Sequence, residues 1–163
     1  MQQHGPLFNS HVKLLAFDLL SLAQTPSSSN SSLSFSRRGI PLSRTEAVGT
    51  VTSRELKPHR FLKFTLDDGT GCVNCILWLN HFSSPSDAAL IAAAAAAFAD
   101  LVQLGKVARV RGQITSFRGA LQITVSDVVI ERDPNAEIFH WLDCLNLARK
   151  CYDVLPSPPS KPN

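Results

Sequence analysis

Arg60-Phe61-Leu62-Lys63-Phe64-Thr65-Leu66, then Asp67-Asp68-Gly69-Thr70-Gly71, then Cys72-Val73-Asn74-Cys75-Ile76-Leu77-Trp78 is the stretch that decides the fold. Two strand-like runs flank a short acidic, glycine-bearing turn, the pattern of a β-hairpin. In the first run Leu62, Phe64 and Leu66 alternate with Phe61, Lys63 and Thr65. Side chains alternate across a strand, so the wholly apolar set faces the core. Phe61 and Lys63 then share the outer face, an aromatic beside a cation. The second run is apolar nearly throughout apart from Asn74, and within it Trp78 reads as core.

Upstream, Ser43 to about Leu56 reads as a first strand on Ala47, Val48 and Val51, with Gly49 at a bend. Downstream, Ser84-Pro85 opens a helix, with a capping serine, proline at the first helical position and Asp87 in the first turn. The helix runs through an alanine block to about Leu104 and stops at Gly105. Leu90, Ile91, Phe98, Leu101, Val102 and Leu104 are its expected buried face. Val107 to Ser116 is a fourth strand, with Arg109 and Arg111 on one face and Ala108, Val110, Gly112 and Ile114 on the other. After a turn at Phe117-Arg118-Gly119-Ala120, Leu121 to Ile130 is the fifth.

Three strands, a helix and two more strands is the order of an OB-fold. The expected class is therefore mainly β: a five-stranded Greek-key barrel, a helix between strands three and four, and a C-terminal helix. In such a barrel the oligonucleotide face lies on strands two and three, walled by the loops between strands one and two and between four and five. Here those loops are Arg54 to His59 and Ser116 to Gly119.

The appendages divide the chain. Residues 1–38 read as an N-terminal docking segment and linker, with His11 to Ala23 a short docking helix or strand. Thr25 to Ser36 is a serine-rich flexible linker. Residues 39–132 form the barrel, 133–153 a helix opened by Asp133-Pro134, and 154–163 a disordered proline-rich tail. A length of 163 residues suits one domain with a self-supporting core. The net charge of +3 and 18% charged residues permit a nucleic-acid partner without demanding one. The apolar run Val12 to Leu22 is interrupted by Asp18 and lacks a cleavage site, and the Ala88–Val102 run holds Asp100. The reading is accordingly a chain without membrane contact, its cysteines reduced in a cytosolic or nuclear protein.

At these residues the chain resembles a known family. Pro41 to Val51, the Leu66 to Gly71 turn, Val73 to Trp78, Val107 to Gly112 and Asp133 to Glu137 are similar to the Stn subunit of the CST complex, which caps telomeres and resembles replication protein A. The resemblance spans about Gly39 to Asp153 and is to the short plant form. It implies a nuclear protein of chromosome ends that binds single-stranded telomeric DNA and supports fill-in synthesis with polymerase alpha–primase. It also implies two protein partners, the Ten-type OB-fold subunit and the large CST subunit. A middle-type subunit of replication protein A and a structural OB-fold adaptor without nucleic-acid contact are the alternative readings.

Nucleic-acid binding needs aromatic platforms beside cations, since stacking tolerates any base and phosphates need positive charge. Phe61, Lys63, Phe117, Arg118, Lys57, Arg60, Arg109 and Arg111 are the candidates. For Phe117-Arg118 at a loop tip, base contact and a solvated turn stand equally open. On the last helix Ile138, Trp141, Leu142, Leu145, Ala148 and Tyr152 recur at helical spacing. A small barrel already plugged by one helix has little room for that stripe, which marks it as a partner surface. The resemblance makes the partner the Ten-type subunit.

Cys72-Val73-Asn74-Cys75 has the spacing of a zinc or redox pair. Positions three apart in a strand point to opposite faces, so the pair reads as structural, as do Cys144 and Cys151. There is no Gly-rich phosphate loop, HExxH or GxSxG, so neither an enzyme nor a cofactor site is expected.

Overall fold

The computed structural model describes residue 5 and residues 7–26, 33–80 and 85–152, excepting the side chains of 85–88, 91 and 152. The elements in chain order are β1 (His11–Lys13), α1 (Ala16–Leu20), β2 (Ala23–Pro26), β3 (Leu33–Arg37), β4 (Ile40–Leu42) and β5 (Arg44–Lys57). They continue with β6 (Phe61–Asp67), β7 (Cys72–Trp78), α2 (Pro85–Leu101), β8 (Val107–Phe117), β9 (Ala120–Ile130) and α3 (Ala136–Leu147). One wider turn of π-helix, Ala148–Tyr152, extends α3.

β5 closes the barrel by serving two neighbours. Its first half pairs antiparallel with β8, from Arg44↔Gln113 to Thr50↔Val107. Its second half pairs with β6, from Thr50↔Asp67 to Lys57↔Phe61. A strand must bend to do this, and Gly49 sits at the bend: a Cβ there would lie 2.7 Å from the Asp67 carbonyl oxygen. β7 pairs antiparallel with β6 and parallel with β9, and β9 returns to β8, so the five strands form the OB-fold barrel. The interior holds Leu62, Phe64 and Leu66 with Val73, Cys75 and Leu77, as the alternation requires.

α2 plugs one end with only part of the expected face, since Val102 is buried and Phe98 packs against the core as expected while the leucines do not. Ala95, Ala99 and Val102 are buried, whereas Leu90, Leu101 and Leu104 are 75%, 50% and 63% exposed. Small side chains let the helix backbone come close to the barrel mouth, and the leucines are left outside. Arg54 fixes the helix end: its Nε donates to the Val102 carbonyl at 2.7 Å and its Nη2 to the Ala99 carbonyl at 3.0 Å. Terminal carbonyls that no helical N–H reaches are satisfied in this way. The expected Ser84 cap lies outside the described residues. No helix among them is long and apolar enough to cross a membrane.

The N-terminal segment is more ordered than its composition suggests. β1 adds to the barrel sheet, parallel to β5, with Val12 opposite Thr45. β2, β3 and β4 form a separate antiparallel sheet with Phe35 buried. The flexible linker expected at Thr25 to Ser36 is therefore corrected at both flanks. Thr25 pairs with Ser34, and their hydroxyls lie 2.8 Å apart. Residues 27–32 and the tail 154–163 lie outside the described residues.

The β6–β7 turn ties α1 and α3 to the barrel. Asp68 Oδ2 accepts the Ala16 amide at 2.7 Å and Thr70 Oγ1 accepts the Phe17 amide at 3.0 Å, so the turn caps α1 from 52 and 53 residues away. Asp68 Oδ1 accepts both the amide and the hydroxyl of Thr70, which holds the cap in place. The Asp68 carbonyl in turn accepts the Trp141 indole N–H at 3.0 Å. The acidic turn is a clamp between α1 and α3.

Losing the cap should cost the protein about 1–2 kcal/mol. Asp68→Ala is expected to lower the chemical-denaturation midpoint accordingly and to raise hydrogen exchange at the Ala16 and Phe17 amides above that of the barrel strands. Exchange there unchanged from the parent would show that the carboxylate does not hold α1.

Candidate nucleic-acid face and partner surface

The β6 alternation that buries Leu62 and Phe64 turns Phe61 and Lys63 outward. Register places Phe61 opposite Trp78 on β7, and the two rings meet edge to face, 5.9 Å apart at 79°. Trp78 is thus 37% exposed on the outer face and does not join the core as expected. β8 carries Phe117 to the same side at its last residue. There the turn needs a left-handed residue, and Arg118 supplies it at φ 51° before Gly119 at φ 81°. Phe117 is 52% exposed. Lys63 Nζ lies 4.9 Å from the Phe61 ring centroid and 5.5 Å from that of Phe117, while the Arg118 guanidinium lies 5.2 Å from Phe117. A groove of about 410 Å³ runs beside them, with Thr65, Asn74 and Gln122 among its polar walls.

Lys57 and Arg60 sit on the loop that borders this face, both exposed. Lys57 shares its charge with Glu55 at 3.5 Å. His59 between them holds a left-handed φ of 60°, a second strained non-glycine residue at a loop tip.

Arg109 and Arg111 are elsewhere and occupied, which corrects their expected place among the nucleic-acid contacts. They lie on the part of β8 that pairs with β5, where Arg111 stands opposite Glu46. Arg109 Nη1 and Arg111 Nε contact the two Glu46 oxygens at 2.6 Å each, and Arg109 Nε contacts Glu131 at 2.5 Å. Glu46 is 3% exposed. Burial would raise its carboxyl, but the Arg111 and Arg109 guanidiniums hold it below the usual carboxylate range.

The second surface is α3. Ala136, His140, Cys144 and Ala148 recur every fourth residue and form its buried face, against β1 and β5. Ala148, expected on the partner stripe, therefore faces inward, and the Tyr152 side chain lies outside the described residues. Ile138, Phe139, Leu142 and Leu145 are 49–60% exposed. Phe139 was not expected there, because a stripe drawn through Trp141 and Ala148 runs one step round the helix from the true outer face. Trp141 stands between the two faces, its indole on Asp68 and Gly69 beneath its ring edge. Between α3 and the β6–β7 turn lies a groove of about 560 Å³ walled by Ile138, Leu142 and Leu145, with Asp67 and Glu137 along it.

Cys72 is exposed and Cys75 buried, on opposite faces of β7, and burial pushes the Cys75 thiol up. Among the described residues no three His, Cys, Asp or Glu side chains converge as a metal site. Cys144 is raised to about 12 by burial, and its Sγ lies 3.3 Å from His140 Nε2. That histidine is 1% exposed, with Nε2 3.4 Å from the Leu14 carbonyl and Nδ1 without a partner in the described structure.

Comparisons with known proteins agree with this geometry. The family tRNA_anti-codon, described as an OB-fold nucleic acid binding domain, matches residues 46–131. CST complex subunit STN1 of Arabidopsis thaliana is 50% identical over 156 residues, covering 91% of this chain and 95% of that protein. CST complex subunit STN1 of Ailuropoda melanoleuca is 28% identical over 163 residues, and the chain spans 43% of its length. Among solved structures, the S. pombe Stn1-ten1 complex aligns with TM-score 0.65 at 19% identity, over 83% of this chain and 88% of that one. A replication protein A heterotrimer bound to ssDNA aligns with TM-score 0.65 at 18% identity, over 85% and 94%.

His140 gives the structure a pH signature. Burial lowers its pKa from 6.5, so the folded chain keeps the ring neutral where the unfolded chain takes up a proton. Stability contributed by the neutral ring is complete above 6.5 and is lost as pH falls below it. Glu46 and Asp143, whose carboxyls are both lowered, titrate further down. The denaturation midpoint should fall between about pH 7 and pH 5, and His140→Leu should flatten that fall. An equal fall in the variant would assign the pH dependence to other groups.

Proposed function

The chain belongs to the family of CST complex subunit STN1, an OB-fold family, and from that premise we propose that it binds single-stranded telomeric DNA as a capping subunit of a CST complex. It works by binding and not by catalysis. In the nucleus, at chromosome ends, it protects the terminus and supports fill-in synthesis by polymerase alpha–primase. The observation that carries the nucleic-acid part is the convergence of Phe61, Phe117, Lys63 and Arg118 on one outer face of the barrel. Flat rings supply stacking to any base, and the cations supply phosphate contacts. Lys57 and Arg60 extend the charge along the bordering loop.

The second part is assembly. Four large apolar side chains exposed on one helix exceed what scattered surface hydrophobes explain, and three of them, Ile138, Leu142 and Leu145, border an acidic groove. A Ten-type OB-fold subunit is the partner this surface fits, with the large CST subunit completing the complex. Barrel residues 43–130 hold nine Lys/Arg against seven Asp/Glu, so one barrel alone carries little net charge toward DNA. The assembled complex is therefore the binding unit. A middle-type replication protein A subunit has the same barrel, and the alignment with that heterotrimer supports this second reading. The 50% identity to an STN1 protein favours the first.

Binding of the purified complex to G-rich and mixed single strands across a salt series tests the nucleic-acid part. Affinity should fall with salt, and Phe61→Ala with Phe117→Ala should weaken it by about 1–3 kcal/mol per lost stack. Full affinity in the double variant would remove this face from the binding site. For assembly, Leu142→Glu should abolish co-purification with the Ten-type subunit while leaving the barrel folded. A complex that survives Leu142→Glu and Ile138→Glu together does not form through α3.

A further inference from the structure

Lys63 stands out on the outer face because it is only partly exposed and is placed against two rings at once. Phe61 precedes it by two residues on the same face of β6, and Phe117 reaches it from the end of β8. A cation within about 6 Å of a ring centroid is drawn to the π-face, the same face on which a nucleobase stacks. Resting on the nucleic-acid reading above, we propose that the Lys63 ammonium is the occupant of the base-stacking slot between Phe61 and Phe117 in the free protein. A strand then enters by exchange: a base takes the ring faces and the ammonium moves to the phosphate that arrives with it.

The geometry favours exchange over simple addition. Phe117 carries Lys63 and the Arg118 guanidinium within 5.5 Å of its centroid, so its ring is engaged before any ligand arrives. Phe61 is engaged by Lys63 and by the Trp78 ring. Lys63 has a flexible four-carbon stem and no carboxylate within ion-pair distance among the described residues, so it can leave the rings without breaking a salt bridge. Lys63 is in this scheme a specificity device. A base without a phosphate displaces the ammonium and offers it nothing, whereas a nucleotide strand supplies both halves of the exchange.

The experiment is the salt dependence of binding of a mixed-sequence single strand to the assembled complex, with and without Lys63→Ala. Under exchange the variant loses one phosphate contact but gains rings that the ammonium no longer covers. It should bind several-fold more weakly at low salt, show a log–log salt slope shallower by about 0.7, and bind more tightly than the parent at high salt, where phosphate contacts are screened. The two curves cross. Weaker binding by Lys63→Ala at every salt concentration makes Lys63 a plain phosphate contact, and no change at any makes it a bystander; either overturns the exchange and leaves the nucleic-acid reading standing. No binding by the parent complex at any salt overturns that reading, and the exchange with it. The free chain offers a check without DNA. The Lys63 ε-CH₂ protons should resonate upfield of an exposed lysine from the ring currents, and less so in Phe117→Ala. An unshifted Lys63 resonance overturns the proposal by itself.

Discussion

One residue, Asp68, holds together three parts of the chain that are far apart in sequence, through its carboxylate and its backbone carbonyl. Its Oδ2 takes the first amide of α1, its Oδ1 takes Thr70, and its own carbonyl takes the Trp141 indole. A two-glycine turn alone would connect β6 to β7 without doing any of this. Acidic residues bring something extra: a carboxylate accepts amides that a helix start leaves without partners, and a negative charge there opposes the positive end of the helix. With α1 pinned, β1 lies alongside β5, and β1 then becomes part of the floor on which α3 rests. The order of α3, and hence of its outer apolar face, descends from that turn.

Beneath α3 the same economy governs charge. The N-terminal half of β5 has both faces covered, so the carboxylate of Glu46 ends up at 3% exposure. A lone buried carboxylate is costly, and two guanidiniums from β8 answer it. The consequence for function is a division of the cations. Arg109 and Arg111 are paired with carboxylates on the outer face of β8, and the basic groups left for an outside ligand cluster at the far end of β8 and on β6.

Much of the barrel could be read from the sequence because period-two alternation is a strong local signal. Leu62, Phe64 and Leu66 point inward, Gly49 bends β5 and α2 falls between β7 and β8, as alternation and turn chemistry require. What could not be read depended on which strand faces which. Arg109 and Lys63 look alike in sequence, each a cation in an alternating strand; pairing with Glu46 makes one structural, and pairing near Trp78 leaves the other at the surface. Trp78 looked like core because its neighbours are apolar, yet register with Phe61 sends it outward. The serine-rich flank hid two strands, since hydroxyl side chains carry a weak strand signal until a partner strand is present. In α3 the error was rotational, and in α2 it lay in the leucines, since Val102 and Phe98 are inside as expected. Runs of alanine, and a helix whose inner face is Ala136, His140, Cys144 and Ala148, bury small or polar groups and leave the large ones outside, the reverse of the usual weighting.

That reversal bears on what the two surfaces are for. A helix that seats itself through alanine, cysteine and a neutral histidine has its large side chains left over, and nothing among the described residues buries them. The strand β6 joins that surface to the aromatic face: Phe61 and Lys63 lie at one end, Asp67 and the Asp68 clamp at the other. Six residue steps at about 3.3 Å put those ends about 20 Å apart. The separation is large enough for a protein on α3 and a strand of nucleic acid on the barrel to bind together without contact. It is also short enough for a partner's own charge to extend the same track. Since this barrel carries little net positive charge and part of its cation set is held by Glu46 and Glu131, such an extension is what a tight complex with a polyanion would require.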